Sequence, residues 1–285
     1  MTLQAVKLCA EKGHPFEVVF SQQWVLSETP VGALSGFQAY KLGHWDLHTG
    51  PDLSTAYAAD LDRRIFAAVM GQAVDLDGSF VDDAVLRGHL ASAPDAEALA
   101  ETLTMMGGRY AFVVVGPGFQ GLYLDPSGCL GAVYEPGARR VASTLFMVLD
   151  RDVVPDTNYP FQALAATGAG GRYAFGVTPD AHVRRLLCNH ALDLDSFEPH
   201  RHWPHPDTDF TCPMMMDAIE ARIDTVITRQ RQIIDGLTRA VQPTMLPISG
   251  GDDSRVLLAL SAEMLDRYAL FFVHRANNIS LRDGE

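Results

Sequence analysis

The chain has 285 residues, 47% hydrophobic and 20% charged, with a formal net charge of −13. That length allows two domains, and the balance is that of a globular protein, neither disordered nor collagen-like. The acidic excess argues against nucleic acid as a partner, because phosphate backbones demand clustered Lys and Arg. A nucleotide site needs only local donors and a metal, so it stays open. Four cysteines (Cys9, Cys129, Cys188, Cys212) lie far apart with no CxxC pair, which predicts reduced thiols in a cytoplasmic protein. No apolar run reaches the roughly 18–20 residues of a membrane helix, and no signal-peptide core opens the chain. No membrane partner is expected.

In chain order, residues 16–20 (FEVVF) and 64–70 (RIFAAVM) read as strands. Residues 92–106 read as one helix, with Ala96, Leu99 and Leu103 on one face and Ser92 before Pro94 as its cap. Runs at 109–115, 122–125, 132–135 and 140–145, split by Gly-Pro-Gly and Pro-Ser-Gly turns, predict an antiparallel meander. Residues 159–166 form a further helix, ended by the glycines at 168, 170 and 171. Residues 193–206, rich in His and Pro, read as a linker.

Beyond Pro213 the pattern changes. Met216, Ile219, Ile223, Val226, Ile227, Ile233, Ile234 and Leu237 recur at helical spacing, so a long amphipathic helix is expected. A strand at 244–248, a Gly-rich turn, a helix at 256–264 and a strand at 268–273 make a βαβ unit with a parallel sheet. A parallel sheet of two strands leaves its faces uncovered. The second domain is therefore expected to be incomplete within these residues.

Ser249-Gly250-Gly251-Asp252-Asp253-Ser254 falls between that strand and helix, where α/β folds bind phosphates. The glycines let backbone N–H groups approach pyrophosphate oxygens. Ser249 and Ser254 add hydroxyl donors, and the helix adds its positive end. Asp253 suits Mg²⁺, a hard cation that takes one or two carboxylates plus phosphate oxygens. No Lys-Ser/Thr follows a GxxxxG, so the common P-loop is excluded. SGG alone is frequent in surface turns, and Asp-Asp-Ser alone would cap a helix. The six residues together, between an apolar strand and an apolar helix, favour ATP and Mg²⁺ as ligands.

The pattern SGGxDS resembles the signature of the ATP pyrophosphatases, and the preceding residues select the asparagine-synthetase-like branch. Arg109-Tyr110-Ala111-Phe112 resembles that family's G-R/M-F-A-F strand, and Asp125-Pro126-Ser127-Gly128 its R-D-P-x-G turn. Val141-Ala142-Ser143-Thr144 resembles its F-A-S-E strand. Leu187-Cys188-Asn189-His190, followed by Arg201-His202-Trp203-Pro204, is similar to its L-P-P-G-H … YW junction. The matches follow family order from about residue 70 onward. The resemblance implies an α+β, four-layer (αββα) Ntn-hydrolase-like domain over residues 1–206. It implies next, over 213–285, the beginning of an α/β adenine-nucleotide α-hydrolase-like domain with a Rossmann-like parallel sheet. The implied chemistry is adenylation of a small-molecule or peptide carboxylate, with loss of pyrophosphate, and then attack by an amine. A homodimer is compatible with it.

Two departures narrow the expectation. Glutamine-dependent members use a Cys made N-terminal by loss of Met1; here the position is Thr2, and the nearest cysteine is Cys9. The family's N-G-E strand corresponds to Met70-Gly71-Gln72, so the acid that would pair with the glutamine ammonium is missing. An amide-forming ligase that does not hydrolyse glutamine is expected, inactive in the form of these residues alone. Two rivals remain: a glutamine-hydrolysing asparagine synthetase using Thr2 or a processed Cys9, and a non-catalytic scaffold for capsule or natural-product assembly. Other candidates carry less. His200, His202 and His205 read as a linker cluster, Met214 to Met216 as packing filler, and Asp193 with Asp195 as a polar strand face. Residues 168–176 do not satisfy GxGxxG.

Overall fold

A computed structural model of the chain describes residues 1–169, 173–205, 207–211, 213–249 and 251–273. The chain divides into two units. Unit 1 comprises residues 1–72, 81–105 and 109–208, and unit 2 comprises 73–80, 106–108 and 209–285. Each is described by itself.

Unit 1 opens with α1 (Gln4–Lys12) and α2 (Phe16–Val19). The strand expected at 16–20 is therefore a helical turn. Pro15 precedes it in extended conformation, and Phe16 and Phe20, four residues apart, stack at 5.3 Å. A short apolar run has no periodicity of its own to separate helix from strand, so this packing decides. Next come β1 (Trp24–Ser27), β2 (Gln38–Leu42), β3 (Trp45–Thr49), β4 (Thr55–Asp60) and β5 (Ile65–Val74). The single helix expected over 92–106 is two, α3 (Asp83–Ser92) and α4 (Ala96–Thr104). Ser92 closes the first, and Asp95 caps the second by accepting the Ala98 N–H at 2.9 Å. Pro94 between them explains the break.

The expected meander is instead two antiparallel hairpins in different sheets, β6 (Gly107–Gly116) with β7 (Phe119–Leu124) and β8 (Val133–Glu135) with β9 (Arg140–Ala142), and then comes α5 (Leu145–Val148). The turns predict each hairpin, but the change of sheet after Leu124 is decided by which strands pair in the fold. The helix expected at 159–166 is α6 (Phe161–Leu164), continued by a π-helical turn at Ala165–Ala169; Gly170 and Gly171 lie outside the described residues. The last strands are β10 (Arg184–Arg185), β11 (His190–Asp193) and β12 (Pro199–Arg201). Residues 193–206 are thus not simply a linker, since β12 pairs with β11 from Leu192↔Pro199 to His190↔Arg201. Asp193 ends β11 and accepts the N–H groups of Asp195 and Ser196, both at 2.8 Å, which turns the chain into that hairpin.

The strands form two six-stranded sheets, β10-β8-β9-β1-β3-β2 and β12-β11-β7-β6-β5-β4. The architecture is mixed α/β with antiparallel sheets. Alternation explains the long apolar runs. In β6, Ala111, Val113 and Val115 join one core with Trp24, Leu26, Trp45, Leu47 and Met70, residues contributed by both sheets. Tyr110, Phe112 and Val114, on the opposite face of β6, are buried as well. A strand covered on both faces shows no polar alternation. A further core joins Leu3, Ala5 and Cys9 of the α1 region to Val25, Ala142, Met147 and Val148.

In unit 2 the long helix appears as α7 (Met216–Ala240), with β13 (Met245–Ile248), α8 (Asp252–Leu260), a 3-10 segment (Ala262–Arg267) and β14 (Leu270–Val273) after it. β13 and β14 pair in parallel, Met245↔Leu270 to Ile248↔Val273. The C-terminal half of α7 buries Ile234, Gly236 and Thr238. A Cβ on Gly236 would stand 2.7 Å from the Gly78 carbonyl oxygen, so only glycine allows that approach. The N-terminal half differs from expectation. Every residue from 216 to 228 is exposed, and Met214, Met215 and Met216 are exposed instead of packed.

Asp180 anchors the last third of unit 1. It is fully buried and accepts two hydrogen bonds from Arg151, at 2.7 and 3.0 Å, and N–H groups from Val154 and His182. Burial alone would raise its pKa, but these donors outweigh burial and hold it at about 2. A depressed carboxylate contributes stability above its ordinary pKa and loses it as pH falls through the folded one. Unfolding followed by tryptophan fluorescence should therefore lose about 2 kcal/mol between roughly pH 4 and pH 2. Asp180→Asn should lose a similar amount at pH 7 and flatten that step; an unchanged acid limb would contradict the assignment.

Candidate nucleotide site

The loop at 249–254 leaves the end of β13 and enters the first turn of α8, whose N-cap is Gly251. Gly250 lies outside the described residues. The two serines close the loop on itself. The Ser249 N–H donates to Ser254 Oγ at 3.1 Å, the two hydroxyl oxygens stand 3.0 Å apart, and Ser254 Oγ donates to the Ser249 carbonyl at 2.7 Å. The Gly251 N–H donates to Ser249 Oγ at 3.3 Å. This web fixes the backbone between strand and helix without any long side chain, so phosphate oxygens can come close to it. A Cβ at Gly251 would meet only Ser249 Oγ, at 3.5 Å.

Asp252 and Asp253 occupy the first turn of α8 and are exposed. Asp252 is 96% exposed, with Arg255 Nη1 at 4.0 Å from its carboxylate. Asp253 follows with its side chain in solvent, where a hard cation can be reached. The helix behind them leaves its first N–H groups without intrahelical acceptors, favouring negative charge at this end. Oxygen donors, carboxylates and N–H groups thus meet at one turn, and this set fits a magnesium-bound polyphosphate.

The residues considered for glutamine chemistry are placed differently. Thr2 is exposed and precedes α1, outside any strand. The Met1 carbonyl before it accepts the Gly32 N–H at 2.6 Å. Cys9 is buried in the core formed with α5, and burial, with Glu17 nearby, pushes its thiol pKa up. Met70 is fully buried in the core shared by the two sheets. Gly71 has φ +101°, and a Cβ there would stand 2.3 Å from the Arg109 carbonyl oxygen. Gln72 is half-buried.

Sequence reasoning missed the role of Asp125 in its Asp-Pro-Ser-Gly turn. This buried carboxylate accepts N–H groups from Ser127 (2.9 Å), Cys129 (3.1 Å) and Leu130 (3.1 Å). The turn signal was visible; that one acid gathers the N–H groups of all three of these residues was not.

No protein-family model matches the chain, and no curated protein matches it. Among solved structures the likeness is distant, as two examples show. One is titled the allosteric regulatory enzyme of purine biosynthesis, at 11% identity and a TM-score of 0.33, covering 83% of this chain and 53% of that one. The other is glutamine phosphoribosylpyrophosphate amidotransferase from B. subtilis complexed with ADP and GMP, at 13% identity and a TM-score of 0.33, covering 90% and 61%. The chain thus spans between half and two thirds of the length of these structures, and neither likeness is close enough to decide the fold. Among the described residues, no helix is long and apolar enough to cross a membrane.

Thiol labelling checks the placement of Cys9. Cys129, which is exposed, should react with a thiol reagent at once, whereas Cys9 should react only on unfolding. Fast labelling of Cys9 in the folded protein would return it to the list of nucleophiles.

Proposed function

We propose that the chain is an asparagine-synthetase-like, ATP-dependent amide-forming ligase that does not use glutamine. One observation carries the reading: a six-residue SGGxDS loop, tied across itself by Ser249 and Ser254, between a parallel strand and a helix N-terminus. In this reading unit 1 is a four-layer Ntn-hydrolase-like domain and unit 2 begins a Rossmann-like nucleotide domain. The two antiparallel sheets with a common apolar core, and the parallel pair β13–β14, support that division.

The reaction is carboxylate activation. A carboxylate oxygen attacks the α-phosphorus of ATP, the bond to the bridging oxygen breaks, and pyrophosphate leaves. An amine then attacks the acyl carbon, an N–H proton is lost, and AMP departs. The loop's task is to hold the departing pyrophosphate through Ser249, Ser254 and the N–H groups at the start of α8. Mg²⁺, held by Asp253, would neutralise charge on the leaving group.

The amine comes from a source other than glutamine hydrolysis in unit 1. Thr2 lies outside the sheets, Cys9 is buried, and Met70 places a thioether in the apolar core at the position of the family's amide. A nucleophile with its own amine as base needs a position that substrate can reach.

Calorimetric titration tests the loop. Wild type should bind Mg·ATP, and Asp253→Asn should weaken Mg²⁺-dependent binding by roughly tenfold while changing metal-free binding little. Ser254→Ala should weaken both. Absence of heat in the wild type would favour a non-catalytic scaffold. Glutamate release from glutamine should stay at background; release lost in Thr2→Ala would overturn the amine assignment.

A further inference from the structure

Unit 1 contains a cavity of about 310 Å³, lined among others by Gly128, Gly131, Ser143, Thr144, Thr178 and Arg185. That volume is at the small end for ligand pockets. Its walls are fixed from three directions. Asp125 pins the turn that carries Gly128, through its bonds to Ser127, Cys129 and Leu130. Ser143 is tied to β1, since its hydroxyl accepts the Trp24 N–H at 3.0 Å and its own N–H donates to the Trp24 carbonyl at 3.1 Å. Thr178 Oγ1 donates to the Val183 carbonyl at 2.8 Å, closing the turn into β10. Arg185 stands opposite Val133 in the β8–β10 pair, and its N–H donates to the Gly176 carbonyl at 2.8 Å. A site whose backbone is already ordered gives up little freedom on binding.

The charge is one-sided. Among the described residues, no acidic one lines the cavity. The acids nearest the wall in sequence, Glu135 and Asp180, are both held by Arg151, at 2.6 and 2.7 Å. Arg185, an exposed residue at the edge of the cavity, has no carboxylate partner among the described residues. Thr144 is the N-cap of α5, yet its side chain makes no capping bond, and Oγ1 is buried without a hydrogen-bond partner. Val133 and Leu145 give the wall an apolar part.

We propose that this cavity binds a small carboxylate with a short apolar body, the carboxylate pairing with Arg185 and the body lying on the apolar wall. A planar guanidinium fork matches a carboxylate with two parallel hydrogen bonds. A phosphate dianion would call for more than the one cation the wall offers. The site is separate from the nucleotide loop in sequence, and its test does not depend on ATP binding.

Isobutyrate, isobutyramide and inorganic phosphate can be compared by calorimetry and saturation-transfer NMR on the whole chain. Isobutyrate should bind, and the neutral amide should bind roughly tenfold more weakly. Arg185→Gln should weaken isobutyrate by roughly tenfold with unchanged near-ultraviolet circular dichroism, and Arg185→Lys should recover part of the loss. Thr144→Val, of similar volume, should weaken it less. The proposal fails if isobutyrate does not bind the wild type, if Arg185→Gln binds it equally well, or if phosphate binds more tightly than the carboxylate.

Discussion

Burial of Trp24, Trp45, Leu47, Met70, Val113 and their neighbours in one core holds the two sheets of unit 1 together. Each such side chain contributes about 1.5–3 kcal/mol when removed from water. Both sheets supply it, so it holds them face to face, and a slip of one residue in β5 or β6 would exchange differently sized side chains between two packed faces. It also sets what unit 1 can do. Met70 is buried there and Gly71 is pressed against the Arg109 carbonyl, so both residues serve packing. One polar group in this core lacks a partner: Trp24 Nε1 is buried without an acceptor, whereas Trp45 Nε1 reaches Gln120 at 2.8 Å.

Two arginines tie distant segments of unit 1 to this frame. Arg139, in a left-handed conformation, pairs with Glu28, donates to the Leu194 carbonyl at 2.7 Å and lies over Trp45 and Phe197. Arg151 joins Glu135 to Asp180. Each fixes a turn that apolar packing alone would leave loose. Arg151 matters beyond its own ion pairs, because by neutralising both acids it leaves Arg185 as the charge that faces the cavity.

In unit 2 the constraint is a different one. A parallel strand pair and its helix place a tight polar loop where backbone N–H groups converge, and the two serine hydroxyls hold that loop without help from elsewhere. The site is therefore local, built within a few residues. The long helix before it is amphipathic, yet from residue 216 to 228 its apolar positions are exposed. Its helicity follows from periodicity; its packing does not.

This contrast marks how much of the protein was legible in sequence. The SGGxDS pattern, α7, the pair β13–β14 and the strands β6 to β9, though not their division between two sheets, were readable because their signals are local: spacing, turn residues and strong periodicity. The helical turn at 16–19, the break between α3 and α4 and the β11–β12 hairpin were misread, because neighbours decided them. Phe16 stacks on Phe20, Asp95 and not Ser92 caps α4, and Asp193 turns the chain. The Arg151–Asp180 pair and the cavity beside Arg185 had no sequence signal, since Arg151 and Asp180 lie 29 residues apart and the segments that line the cavity meet only in the folded chain. By itself the sequence determined the strand–loop–helix order and the small, polar residue types of the turn between them. Only the tertiary structure decided that Met70 and Cys9 are packing residues and that Arg185 faces a cavity, because burial and charge pairing depend on which segments meet in space.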